Sequence, residues 1–228
     1  MELGDALRTT GSVRNFTSAL VADETLSSIL EDARFAPSGG NRQAWHVIVV
    51  KDVTRRRALR DLYLDAWHDY VAHVLAGLVP FSPVASDEDR ALAAGRRDEA
   101  IAVSKPDGFP ETLDAVPVML VICADLSALA ATDRDLGRYH ITGGASIYPF
   151  VWSILLAAHE RGLGGVMTTI ATRKENEVRA LLSMPENQVV ASIVALGYPK
   201  QQVTKLRRND VADFTSVDTF DGRPLTST

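Results

Sequence analysis

Short, almost wholly apolar segments separated by longer helical patterns constrain the fold of this chain more than any other feature. Three of them span residues 45–51, 117–124 and 189–199, and a shorter one follows the glycine-rich sequence at 162–165. A strand that is apolar on both sides of its pleat is usually covered on both faces of its sheet. The sequence therefore predicts a sheet buried between two layers of helices.

Helical patterns fill most of the intervals between these strands. Asp23 and Asp52 are predicted N-caps, and the helix after Asp52 places four apolar side chains on one face: Leu59, Leu62, Tyr63 and Ala66. A helix is also predicted over 87–102, and a capping box that starts at Thr172 predicts one more, ending at Leu182. A long helix is predicted from about Tyr139 to Arg161. Pro149 falls inside it, so that helix either begins late or kinks there.

Composition limits the possible partners. The chain has 228 residues, 46% hydrophobic, and a net charge of −5, which argues against nucleic acid or an anionic membrane as its main partner. Its one cysteine, Cys123, lies in an apolar run and is predicted to be a buried, unreactive side chain. We expect no signal peptide and no membrane span, because the longest apolar run, 147–158, is too short. These features predict a cytoplasmic protein.

Two regions lie outside the predicted core. A proline-rich segment with alternating charge, within about 63–112, is typical of a lid or a partner-binding arm. The polar residues 199–228 have no core pattern of their own, so they are either disordered or wrapped around something.

Four polar segments could together form a site for an anion and a flat ring. Their candidate binding residues are Thr10, Ser12 and Arg14; Pro37, Ser38, Gly39, Asn41 and Gln43; Thr168 and Thr169; and Lys205 and Arg207. Arginine offers a forked positive charge to phosphate, and glycine lets backbone donors approach a ligand. Each segment alone could equally be an ordinary turn, cap or solvated surface. The other basic cluster, at residues 54–60, is interpreted as a solvated helix face.

Several reaction classes have no motif in this sequence. A phosphate-binding P-loop, a dinucleotide fingerprint and a hydrolase nucleophile elbow are all missing, and the five histidines show no metal-ligand spacing. We therefore assign no catalytic side chain and no metal. Binding groups without acid–base machinery are typical of a protein whose redox cofactor performs the difficult step.

Taken in order, these segments resemble the nitroreductase family of FMN-dependent oxidoreductases. The resemblance runs from Arg8 to about Arg208 and rests on TTGSVRNF, ARFAPSGGNRQAWHVIVV, GASIYPFVWSILLAAHERGLGGVMTT and VVASIVALGYP followed by KLRR. The second is the most specific, since A-P-S-x-x-N-x-Q-P-W before a strand is close to diagnostic. The resemblance implies an α+β fold, a three-layer sandwich whose central, mostly antiparallel sheet is flanked by helices.

The resemblance also implies one domain over 1–228 and a homodimer with FMN at its interface and the C-terminal tail exchanged between subunits. Thr10, Ser12 and Arg14 would hold the phosphate and ribityl chain, and Lys205 and Arg207 would close on the phosphate. Thr168 and Thr169 would lie by the reactive edge of the ring. The loop from Pro37 to Asn41 would lie along the flavin, often the one held by the other subunit, with Gln43 behind it.

Three positions depart from the family pattern. Thr10 and Gly11 occupy places where relatives often have arginine, and Arg8 could supply the missing contact. Ala44 replaces the usual proline before Trp45, and Pro149 interrupts a helix that is normally continuous.

The function implied is hydride transfer from NADH or NADPH to a flat, electron-poor acceptor, a nitroaromatic, quinone or enone, by a ping-pong mechanism. Aromatic residues of segment 63–112 are candidates for stacking on that acceptor, or else core residues: Tyr63, Trp67, Tyr70, Phe81 and Phe109. The alternative function is a flavin-binding or flavin-sequestering protein without productive turnover, because it would share every cofactor motif.

Overall fold

Antiparallel strands form the centre of the structure, a computed structural model that describes residues 1–226. The described strands are β1 (Trp45–Val49), β2 (Val118–Asp125), β3 (Gly164–Thr168) and β4 (Gln188–Gly197), ordered β1-β2-β4-β3 across the sheet. All neighbouring pairs are antiparallel, and Val121 lies opposite Ile48 on one side and Ile193 on the other. The predicted strands are confirmed to within two residues at each end.

Helices surround this sheet. Those described in residues 1–226 are α1 (Leu3–Thr9), α2 (Asp23–Ala33), α3 (Val53–Leu75), α4 (Asp87–Ala94), α5 (Arg97–Ala102), α6 (Tyr148–Glu160) and α7 (Glu175–Leu181). Helices α2 and α6 cover one face of the sheet, and α3 and α7 cover the other. The predicted three-layer α+β sandwich is therefore confirmed.

The central strand β2 serves two separate hydrophobic cores. Leu120 and Ile122 face the core under α2 and α6, whereas Met119, Val121 and Cys123 face the core under α3 and α7. Alternation of apolar side chains on both faces is the reason that the strand sequence is apolar throughout. The Cys123 thiol is buried as predicted, and its burial raises the pKa to about 11, so it remains protonated.

The long helix predicted from residue 139 begins late rather than kinking. Helix α6 starts at Tyr148, with Pro149 in its first turn, where a proline needs no hydrogen-bond partner for its nitrogen. A short 3₁₀ helix, Thr142–Ser146, precedes it.

Three other helix predictions were wrong in detail. The helix predicted over 87–102 is divided at Gly95 into α4 and α5. The capping box at Thr172 is not formed, because its hydroxyl donates to the Thr169 carbonyl at 2.8 Å within a 3₁₀ turn, and α7 begins only at Glu175. Asp23 begins α2 but caps no amide, whereas Asp52 accepts from Arg55 N at 2.8 Å, as predicted.

The basic cluster at 54–60 is only partly the solvated face that was predicted. Arg56 is half-buried and donates to the carbonyls of Asp114 (2.8 Å), Val50 (3.2 Å) and Val116. Burial lowers the pKa of its guanidinium. Arg56 thus ties α3 to the end of β1 and to the approach to β2, whereas its neighbour Arg57 is exposed.

The mid-chain segment and the tail lie outside the two cores. Helices α4 and α5 pack against α3, and residues 202–210 have no regular secondary structure before a short 3₁₀ helix, Val211–Asp213. Phe214 and Phe220 of the tail are largely and fully exposed. The single-domain organisation and the exchange of the tail between subunits stay predictions, and the tail's last two residues lie outside those described.

Candidate functional site

The N-terminal segment of residues 12–17 runs beside the sheet at the start of β3. Val13 N donates to the Gly165 carbonyl at 2.9 Å, and Thr17 N donates to the Tyr198 carbonyl at 2.8 Å. A side chain at Gly164 would place its Cβ 2.7 Å from Val13 Cγ2, so glycine permits this close approach. The sheet thereby fixes the backbone on both sides of Arg14.

A basic groove opens along this segment and the chain that follows β4. It has a volume of about 900 Å³, and its polar lining includes Ser12, Arg14, Lys200 and Lys205. Among residues 1–226 no carboxylate pairs with Arg14, Lys200 or Lys205 (the ion pairs there involve other cations). In a chain of net charge −5, this grouping of uncompensated cations makes the groove suitable for an anion.

An aromatic cavity of about 350 Å³ adjoins the groove, and Arg14 lines both. Thr168 and Thr169 line it at the end of β3, together with a wall formed by Tyr63, Trp67, Tyr70 and Phe109. The sequence-predicted phosphate and ring contacts Ser12, Arg14, Lys205, Thr168 and Thr169 are therefore brought together. The two cavities meet at Arg14 and together form the candidate site.

A hydrogen bond joins the aromatic wall to β3. Tyr63 Oη lies 3.0 Å from Thr168 Oγ1, and the Tyr63 side chain is otherwise buried. Burial raises the pKa of the Tyr63 hydroxyl, while the Thr168 bond and the positive charge of Arg14 act in the opposite direction. The hydroxyl therefore stays neutral at physiological pH and fixes the Thr168 side chain.

The aromatic rings of the wall stack on one another. Trp67 lies between Tyr70, with ring centroids 4.8 Å apart and planes 7° apart, and Tyr63, with centroids 6.3 Å apart. Phe109 meets Tyr63 edge-on. The rings of the wall therefore support one another within a single cluster.

Three sets of predicted residues lie elsewhere. The Thr10 hydroxyl is buried and donates to the Ala6 carbonyl at 2.7 Å, so it faces its own helix rather than the groove. Arg207 lines neither the groove nor the aromatic cavity. The five loop residues also lie apart from these cavities: Pro37, Ser38, Gly39, Asn41 and Gln43.

That loop is shaped by its own hydrogen bonds. Gly39 N donates to Ser146 Oγ at 3.0 Å, and Gln43 N donates to Ser38 Oγ at 2.9 Å. Asn41 and Gln43 adopt positive φ angles of 52° and 49°, which only a well-determined loop maintains in non-glycine residues. The loop is thus a preformed, exposed surface that a single chain does not bring to its own groove.

Two contacts of the site were not predicted from sequence. Lys200 lines the groove because its backbone N–H donates to the Asn15 carbonyl at 3.0 Å. This hydrogen bond holds the chain after β4 alongside the N-terminal segment 12–17. The Tyr63 hydroxyl reaches Thr168 across 105 positions of sequence. A lysine directly after a strand and a tyrosine on a helix face are too common to have indicated either contact.

Comparison with known proteins decides the family. A sequence profile of the nitroreductase family matches residues 7–198. The chain belongs to the nitroreductase family. Among related family members, a protein of Archaeoglobus fulgidus named as a putative NADH dehydrogenase/NAD(P)H nitroreductase is 28% identical, over 84% of this chain and 82% of its own. An NADH dehydrogenase of Thermus thermophilus is 30% identical, over 84% and 83%.

Solved structures agree with the nitroreductase-family fold. A crystal structure of an iodotyrosine deiodinase bound to FMN and 3-iodo-L-tyrosine superimposes with a TM-score of 0.66 at 23% identity, covering 96% of this chain and 100% of the other. Within the described residues, no helix has both the length and the apolarity needed to cross a membrane. Nor do three metal-ligating His, Cys, Asp or Glu side chains gather in that part of the chain.

Proposed function

We propose that this member of the nitroreductase family is an FMN-dependent oxidoreductase. It transfers hydride from NADH or NADPH to a flat, electron-poor acceptor. The observation that carries the proposal is the meeting of a basic groove and an aromatic cavity at Arg14. When bound there, FMN would supply the hydride chemistry for which this chain offers no side-chain machinery.

The residues of the site fit FMN part by part. Arg14, Lys200 and Lys205 offer positive charge for one phosphate, and Ser12 offers a hydroxyl for the ribityl chain. Thr168 and Thr169 offer hydroxyls to the polar edge of the ring. One cation cluster without a dinucleotide fingerprint favours the mononucleotide over FAD.

A homodimer would complete this site. The loop from Pro37 to Gln43 is exposed and preformed, yet it lies apart from the groove of its own chain. We propose that Ser38, Gly39 and Asn41 contact the flavin bound by the partner subunit, and that Arg207 approaches the phosphate once the tail is ordered. The deiodinase relative was solved with FMN, which supports a flavin in this fold.

The cavity favours a planar acceptor. Thr168 and Thr169 line it together with aromatic side chains, so its walls combine hydroxyl groups with apolar rings that suit a flat ligand. The names of the relatives cover nitroreductase, NADH dehydrogenase and deiodinase, so the acceptor is proposed by chemistry: nitroaromatic, quinone or enone.

Flavin release and anaerobic reduction test the proposal together. The purified protein should be yellow and release FMN on denaturation, and NADH or NADPH should bleach the flavin without oxygen. Stoichiometric FAD would contradict the cofactor assignment. Bound FMN that neither donor reduces would support the alternative, a flavin-sequestering protein without productive turnover.

Steady-state kinetics test the use of a single cavity. Donor and acceptor would occupy the same aromatic cavity in turn, so double-reciprocal plots should give parallel lines. Intersecting lines would require a second site that both substrates fill together. Since no side chain is assigned a catalytic role, a substitution outside the flavin contacts that abolishes turnover but retains FMN would contradict the mechanism.

A further inference from the structure

A second cavity lies directly beyond the aromatic one. It has a volume of about 330 Å³, and its lining combines four alanines and Phe81 with the charged and polar side chains of Asp69, His73, Arg90, Tyr139 and Arg173. Tyr70 of the aromatic cavity and Phe81 of the second cavity form the partition, with ring centroids 6.4 Å apart. This ring contact places the two cavities side by side.

Phe81 is held in place at this partition. Its φ angle of 54° is unusual for a bulky side chain and persists only where the surroundings determine the conformation. The ring packs against His73, 4.9 Å away between centroids, and beneath the guanidinium of Arg173, whose Cζ lies 4.8 Å from the ring centroid. The partition and the Arg173 side chain are therefore mutually positioned.

Most charges around the second cavity are already paired. Asp69 accepts from Arg97, and Arg90 pairs with Asp87 and donates to a backbone carbonyl. Arg173 differs, since among residues 1–226 its guanidinium makes a contact with the Phe81 ring but no hydrogen bond or ion pair. Its five N–H donors remain available to a ligand.

Arg173 is also coupled to the proposed flavin contacts by its position in the chain. It lies in the 3₁₀ turn Ile170–Lys174, which follows Thr168 and Thr169 directly. The neighbouring Lys174 anchors this turn to α3 through Asp65. The distance between the aromatic cavity and the guanidinium is thus set by one short, anchored segment.

We propose that the second cavity is an anion subsite in which Arg173 binds a negatively charged oxygen group carried by the molecule whose ring occupies the aromatic cavity. The guanidinium fork suits a carboxylate or phosphate, and the Phe81 face keeps it oriented. The inference rests on the proposed oxidoreductase function. The group could belong to the acceptor, as a carboxylate, or to the donor, as the 2′-phosphate of NADPH.

Matched substrate pairs separate these two sources. The acceptor pair is 4-nitrobenzoate against 4-nitrobenzamide, and the donor pair is NADPH against NADH, each compared by kcat/KM with wild-type holoenzyme and Arg173→Gln. If the group is on the acceptor, the benzoate-to-benzamide ratio of kcat/KM should fall about twofold to fivefold in Arg173→Gln. The change should appear in KM and become smaller when salt is added. A group on the donor predicts the same fall in the NADPH-to-NADH ratio.

Two further variants control the test. Arg173→Lys keeps the charge and should recover part of the preference, and Arg57→Gln removes an exposed charge elsewhere on the surface and should alter neither ratio. If both ratios are the same in wild type and Arg173→Gln, the subsite is refuted.

A binding measurement distinguishes failure of the Arg173 subsite from failure of the proposed oxidoreductase function. Benzoate and benzamide are titrated against oxidised holoenzyme by flavin absorbance, which needs no turnover. Benzoate binding that weakens in Arg173→Gln supports the subsite even if no donor reduces the flavin. Equal benzoate binding by wild type and variant, together with an unchanged NADPH-to-NADH ratio, refutes the subsite even if turnover is rapid.

Discussion

Arg14 lies where the basic groove and the aromatic cavity meet, and its side chain is exposed and has no carboxylate partner among residues 1–226. We therefore expect Arg14→Ala to weaken FMN binding more than any arginine or lysine substitution at residues 54–60. A charge-assisted bond to phosphate contributes about 1.5–3 kcal/mol, which corresponds to a loss of about 10- to 150-fold. Titration of apo-protein with FMN measures this, and excess FMN should restore the lowered melting temperature.

The control for that experiment is Arg57→Ala rather than Arg56→Ala. Arg57 is exposed on α3, next to Arg56, so Arg57→Ala should leave FMN affinity and melting temperature unchanged. If Arg14→Ala and Arg57→Ala bind FMN equally well, the placement of the phosphate at Arg14 is wrong.

Arg56 itself should matter for stability and not for the cofactor. Its removal leaves the carbonyls of Val50, Asp114 and Val116 without their side-chain donor. We expect Arg56→Ala to lower the free energy of unfolding by about 1–3 kcal/mol in urea, with FMN affinity per folded molecule retained. A loss below about 0.5 kcal/mol, the size expected for an ordinary surface change, would contradict this role.

At this scale the sequence predicted residue types better than hydrogen-bond partners. Ser12, Arg14 and Lys205 were predicted as groove residues because their motifs are local. The roles of Arg56 and Thr10 were not predicted. Arg56 finds its carbonyl partners up to 60 positions away, and the Thr10 hydroxyl turns back to its own helix. Such choices depend on tertiary packing, which a local pattern does not contain.

At the scale of elements, an ion network fixes the mid-chain segment to the site. Asp65 on α3 accepts from Lys174, the last residue of the 3₁₀ turn Ile170–Lys174, and from Arg97 on α5. The Lys174 hydrogen bond, followed by the Arg97 charge, lowers the pKa of the Asp65 carboxyl. The network therefore links three elements around the aromatic cavity.

Because the folded-state pKa of Asp65 is lowered, the ionised carboxylate stabilises the fold above its unfolded pKa of about 4. That stabilisation is lost as pH falls through the folded-state pKa. Asp65→Asn should therefore lower the free energy of unfolding by about 0.5–1 kcal/mol at pH 6, a modest amount because the Asp65 side chain is 45% exposed, and by less at pH 3. Urea unfolding at both pH values measures the difference. Asp107→Asn, an exposed carboxylate of the same segment, is the control, and an equal cost at both pH values would refute the linkage.

Element boundaries were the less predictable part of the structure. From the sequence, Pro149 was compatible with a late start of α6 or with a kink inside it. The structure has the late start, because Thr142–Ser146 forms a separate 3₁₀ helix before Tyr148. The Thr172 capping box failed because the same hydroxyl satisfies the Thr169 carbonyl. Short polar side chains often have two local partners of similar energy, and neighbouring elements decide between them.

At the scale of the whole molecule, the layered arrangement of helices and sheet could be predicted from the sequence. Only part of the candidate site could be. Apolar strands on both faces require covering helices, and this is what the two cores around β2 contain. The groove and aromatic cavity come from one chain, and Lys200 and Lys205 at the start of the tail line that groove, whereas the loop at residues 37–43 lines neither cavity. Sequence motifs identify such parts without saying which subunit they serve.

The exposed tail leads to the prediction for the assembly. Phe214 is 67% exposed and Phe220 fully exposed, an arrangement that costs free energy unless another surface covers them. We expect a dimer at micromolar concentration in which the tail beyond residue 199 packs on the partner. Deletion of residues 212–228, or replacement of both phenylalanines by serine, should raise the dimer dissociation constant at least about tenfold, and the deletion should also promote aggregation.

Analytical ultracentrifugation across a concentration series measures this constant, with FMN content recorded for each sample. Ser216→Ala, an exposed change between the two phenylalanines, is the control and should behave as wild type. Because the proposed flavin site includes the partner's loop, FMN occupancy should fall in step with dimer dissociation as the protein is diluted. A stable dimer with full FMN content after the deletion would show that the tail takes no part in assembly, and an FMN-saturated monomer would show that one chain suffices for the site.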